Sequence, residues 1–191
     1  MNKMEIKTVY MNTEDYIKQY RDIPKFLEFC KACPRYEKCW ACPEHGFDVE
    51  NFLAPYPHVY LIGAKIIIDD EQRNSVKGKD AVGAMAEEIT KDARAKLDPI
   101  VLSLEKTMGE NEALCCYGGT CYLCLTCAKI MGQPCVHPGE RRASLESLGF
   151  DVAGTTLDLL GYELLWSEDS LPEYLTVVSA LFSKKLLPKR G

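Results

Sequence analysis

The sequence predicts an α+β fold: a mixed sheet with helices packed on one face, carrying two cysteine-rich loops that bind metal or clusters. Three observations point there. Residues 58–69 (HVYLIGAKIIID) form a near-continuous apolar run of strand length. From Asp80 onward, Val82, Met85, Ile89 and Ala93 repeat at helical spacing. Apolar strand patterns return late in the chain, over residues 162–166 and 174–182. One strong strand, one long helix and late strands are the pattern of helices laid on a sheet.

In chain order, residues 3–10 alternate loosely and suit an edge strand. Asn12-Thr13-Glu14-Asp15 reads as a helix start, with Tyr16, Tyr20 and Ile23 on one face before Pro24. Residues 24–29 lead into the first cysteine cluster, and Pro55 and Pro57 break the chain before the strong strand. Residues 69–79 read as a polar turn, after which Asp80 caps the long helix. Asp98-Pro99 either kinks that helix or starts a second one reaching about Met108, and Met85 and Met108 are core filler on its apolar stripe. Residues 113–117 suit a short strand, and residues 144–148 and 155–160 suit short helices separated by Gly149 and Gly154.

At 191 residues the chain is expected to be one cysteine-rich domain spanning 1–191, with cluster loops at 30–43 and 116–137. A chain of this size needs no staples merely to fold, yet it carries 10 Cys. Net charge is −5 with no basic block, which argues against nucleic acid as the main partner. No apolar run is long enough to span a membrane, and the first residues lack the features of a signal peptide. The expected setting is the cytoplasm, where thiols stay reduced and clustered Cys bind metal rather than pair as disulfides.

The first cluster is Cys30-x2-Cys33, then Cys39-x2-Cys42 followed by Pro43. A C-x2-C turn presents two thiolates on one side of a tight loop, so both can bind one centre. Between these ligands lie Tyr36 and Trp40, aromatics placed to shield a centre from water. The second cluster is Cys121-x2-Cys124-x2-Cys127, with Cys135 after Pro134. Three Cys at this spacing suit the wrapping loop of a 4Fe–4S cluster, whereas structural zinc usually takes two separate knuckles. Cys135 is the preferred fourth ligand, with Cys115, Cys116 and a cross-ligand such as Cys42 as alternatives. A competing parse takes Cys116, Cys121 and Cys124 as the plant-type 2Fe–2S spacing and leaves Cys127 unused. Because adjacent strand residues face opposite ways, Cys115 and Cys116 do not easily grip one metal together. Gly118 and Gly119 either aim N–H groups at cluster sulfurs or simply make a turn.

Residues 30–43 (CKACPRYEKCWACP), 118–127 (GGTCYLCLTC) and 134–152 (PCVHPGERRASLESLGFDV) resemble a prokaryotic family of cysteine-rich predicted metal-binding proteins of unknown function. The resemblance implies metal or iron–sulfur binding, and no particular reaction.

Other chemistries lack their residues. The three His (His45, His58 and His137) form no zinc-hydrolase motif; His45 and His137 follow cluster cysteines closely enough to tune or ligate, and His58 opens a strand. The nucleotide-binding glycine motifs and the radical C-x3-C-x2-C spacing do not occur. Arg141-Arg142 either orients an acidic group near a cluster or sits at a helix start. The reading that follows is an iron–sulfur protein with two 4Fe–4S clusters that passes electrons to a redox partner protein. A zinc-stabilised interaction module and an iron–sulfur reductase of small molecules are the alternatives.

Overall fold

The structure, a computed structural model, describes residues 2–187. Its centre is a four-stranded sheet ordered β1-β2-β4-β3, with β1 Met4–Asn12, β2 His58–Ile67, β3 Ala113–Cys116 and β4 Tyr174–Ser183. The α+β class holds, but every ladder is antiparallel, so the sheet is not mixed. The expected edge strand is β1, and the apolar run of β2 lies in the middle, paired with β1 on one side and β4 on the other.

Helices do not cover one face only. On β2, the even-numbered Ile62, Ala64 and Ile66 pack with Val82, Ile89, Ala93, Leu97 and Val101 of the long helix α5 (Lys79–Met108). The odd-numbered Val59 and Leu61 pack on the opposite face with Tyr16, Leu53, Leu148, Phe150 and Leu160. Central strands that are apolar on both faces need two covers, and a single helix supplies only one. The second cover comes from α1 (Thr13–Tyr20), α3 (Val49–Leu53), the 3₁₀ turn Glu146–Leu148, α6 (Val152–Gly154) and the wide turn Thr155–Leu160 that follows it.

Several local expectations change. Asn12 precedes α1 without a side-chain cap, and Pro24 sits in the first turn of a further helix, α2 (Ile23–Ala32). That helix is capped by Asp22, which accepts from Lys25 N–H, and it carries Cys30 in its last turn. The expected polar turn contains α4 (Asp70–Ser75), capped by Asp69. Gly78, not Asp80, precedes α5, which runs through Pro99 as one element. The expected strand at 162–166 is absent because that segment lies over the sheet face rather than along an edge. Tyr162 crosses Gly63 there and meets Tyr174 edge-on at 6.0 Å.

Candidate metal centre

Both cysteine loops are tied to one short segment, residues 141–149. At one end of the first loop the Cys30 thiol points at Glu146 O (3.9 Å), and at the other His45 Nε2 contacts Ser147 O at 3.0 Å. Burial lowers the His45 pKa, and its ring stacks on Phe47, so His45 braces the loop. The second loop leaves and returns at a single point: Tyr117 N–H donates to Ala143 O (3.1 Å), closing residues 118–142 into an excursion from the end of β3. Gly119 N–H reaches the Glu146 carboxylate at 3.4 Å rather than a sulfur. Gly118 presses on β4, where an added Cβ would stand 2.6 Å from Val177 Cγ1. The two glycines therefore make the turn and do not donate to the thiols.

α5 holds the second loop from beside. Arg94, its side chain fully buried, grips Asp98 through Nε and Nη2, donates to Thr120 O, and lies 4.8 Å from the Tyr122 ring centroid. Arg142, no surface arginine, pairs with Glu105, and Glu105 also accepts the outward N–H of Cys115 (2.6 Å). Arg141 donates to Trp40 O (2.7 Å), while the Trp40 indole donates to Gln133 O (2.9 Å). Trp40 thus joins the two loops. Sequence reasoning missed Arg94 and Glu105. The available signal was an Arg inside the apolar stripe of a helix, four residues before an Asp.

These ties bring the loops into contact. Cys39, buried, receives the N–H of Ala41 at 3.5 Å and lies close to Cys42 and Cys121. These neighbours hold the Cys39 thiol far below its ordinary pKa, and its nearness pushes Cys42 and Cys121 up. The first loop thus aims the N–H two residues after Cys39 at its sulfur. Cys33 lies near Cys42. Cys124 lies near Cys127, Cys135 and Cys39, and all four border one small crevice with Cys121. The thiols that sequence order divides into two sets of four are placed as one contiguous group, with Cys39 at the junction. Cys30, near Cys33 and turned to Glu146 O, extends the group into the last turn of α2, its thiol raised by burial.

Cys115 and Cys116 face opposite cores, one against α5 and one against α1. Burial pushes both thiols above their ordinary range. Cys116 therefore does not join Cys121 and Cys124, and the plant-type spacing has no counterpart in space. His58 sits at the start of β2 with Nδ1 3.0 Å from Tyr10 Oη, well removed from the loops in the fold.

All ten cysteines are free thiols, which is the donor chemistry a soft or borderline metal requires. Among the described residues, no three Cys, His, Asp or Glu side chains already stand close enough to grip one ion. The donor set fits such a centre in composition.

The fold and this thiol group define an α+β protein with two cysteine-rich loops brought together at one side. Residues 17–182 match the family described as predicted metal-binding protein (DUF2284), and the chain belongs to that family. No curated protein and no solved structure matches the chain. Among the described residues, no helix is long and apolar enough to cross a membrane.

Proposed function

We propose that the chain is an iron–sulfur protein holding two 4Fe–4S clusters and passing electrons to a redox partner protein. The observation that carries this reading is the convergence of both loops on Cys39, which gathers Cys33, Cys39, Cys42, Cys121, Cys124, Cys127 and Cys135 into one region. Cys30 completes eight ligands if the last turn of α2 yields its contact to Glu146. A 4Fe–4S cluster supplies one-electron transfer at a potential set by hydrogen bonds to its sulfurs and by solvent exposure. The chain contributes such a hydrogen bond from Ala41 to Cys39, and Trp40 borders the junction and shields it.

Leu125, Ile130, Met131 and Val136, all on the second loop, are exposed and give a partner apolar contact beside the centre. A protein keeping ten free thiols suits a reducing compartment such as the cytoplasm. The zinc-stabilised module is favoured by one specific observation: the Ala41 N–H on the knuckle sulfur of Cys39 serves tetrahedral zinc equally well.

Metal analysis separates the two. Protein made and purified without oxygen is expected to be brown, absorbing near roughly 400 nm, with about eight iron and matching acid-labile sulfide per chain. Colourless protein with stoichiometric zinc and no sulfide overturns the iron–sulfur reading in favour of zinc.

A further inference from the structure

A cleft of about 810 Å³ lies between α5 and the two cysteine loops, with Cys39, Cys121, Cys124 and Cys127 on one wall. The cleft is also rich in cations for a chain of net charge −5. Arg35, Lys38, Lys91 and Arg94 line it, against Glu87, Asp92 and Asp98. Arg94 is fully committed to Asp98 and Thr120. Lys38 meets only the Pro34 carbonyl, at 2.8 Å. Arg35 and Lys91 share a single carboxylate, Glu87, and both also lie over the Tyr122 ring, at 5.5 Å and 5.3 Å from its centroid.

Two cations holding one carboxylate leave positive charge unbalanced at the Tyr122 end of the cleft, partly open to solvent. A second oxyanion there gains charge-assisted hydrogen bonds without burying a bare charge. Beside it, Leu123, Leu125 and Ile130 offer an apolar lining, and the thiol wall begins within the same cleft. We propose that this cleft binds a small organic oxyanion, a carboxylate or phosphate held by Arg35 and Lys91, with its apolar body along Leu123, Leu125 and Ile130 beside the thiol group. In this site Glu87 is the internal competitor that keeps the two cations in place when the ligand is away. The proposal goes beyond electron transfer and does not depend on which metal the thiols hold.

The test uses the full chain, prepared without oxygen, with metal content measured on every sample. Calorimetric titration at fixed ionic strength uses two probes, inorganic phosphate and hexanoate, which distinguish a phosphate head from a carboxylate on an apolar tail. Saturable binding of either one is expected. Arg35→Gln and Lys91→Gln should each weaken it about fivefold, while Glu87→Gln, which removes the competitor, should tighten it about threefold. A purely structural ion pair cannot give that opposite sign. If neither probe saturates in the wild type and in Glu87→Gln, or if all three variants weaken binding alike, the proposal is overturned. A metal-free preparation that binds a probe counts against the metal centre alone, and a metal-loaded one that binds neither counts against the cleft alone.

Discussion

Cys39 is where the chemistry of single residues concentrates. It is the one buried cysteine of the two loops, and the Ala41 N–H points at its sulfur beside the Cys42 and Cys121 thiols, stabilising the thiolate that a soft metal needs. Cys30 has the opposite environment, raised by burial and turned to a backbone carbonyl. Cys39→Ser is therefore expected to remove roughly half or more of the bound metal, drawn from both loops, and Cys30→Ser distinctly less. Metal and sulfide measured after desalting check this; equal losses would mean that Cys39 is no junction. The candidate thiols were legible in the sequence because C-x2-C spacing is a local property of a turn. Which thiols meet was not, since Cys39 and Cys121 are brought together by Trp40, Arg141 and the 144–147 turn, none of which spacing encodes.

At the scale of elements, the outer edge of β3 carries the second loop. Cys115 N–H points away from β4 to Glu105, and Tyr117 N–H to Ala143, so this edge is covered by the carboxylate of α5 and by the returning chain. Burial by itself would raise the Glu105 carboxyl, but hydrogen bonds from Arg142 and Cys115 outweigh it and hold the group below its ordinary value. A carboxyl whose folded pKa is depressed contributes stability above its unfolded pKa and loses it as pH falls through the folded one. Glu105→Gln leaves Arg142, largely buried, without its partner and is expected to cost about 3 kcal/mol, or roughly 6–12 °C of melting temperature. The variant should also lose that part of the acid sensitivity. Thermal melts at neutral and mildly acidic pH check both; a melting point unchanged at neutral pH would show that the pair does not hold the loop. Local pattern predicted β2, β4 and the body of α5 well, because each buries apolar side chains, and found β1 from loose alternation alone, since that strand buries none. It missed α2 and α4, short helices whose Asp caps are also common turn signals, and it placed a strand at 162–166 where apolar residues cover a sheet face instead.

For the whole molecule, the weight lies in the sheet and not in the loops. Two apolar cores, one per sheet face, are built from β1–β4, α1, α3, α5 and the 145–160 segment, and the eight loop cysteines belong to neither. The run of β2 already signalled burial on both faces; the second cover escaped sequence reading because it is assembled from short pieces far apart in the chain. A chain of this length buries enough surface to fold without a metal staple. The loops, by contrast, hold few buried apolar side chains, Ala41 and Ala128 among them, and rely on polar ties to residues 141–147. Stripping the metal with a chelator under reducing conditions is therefore expected to leave far-UV circular dichroism and cooperative melting largely intact. The same treatment should open the loops to trypsin at Lys31, Arg35, Lys38, Lys129 and Arg141, ahead of sites in α5 such as Lys96. Mass spectrometry of the first fragments reads the order of cleavage. Loss of the dichroism signal together with cleavage throughout the chain would instead make the metal part of the fold's foundation, as in a small zinc-stabilised module, and would overturn the division of labour between sheet and loops.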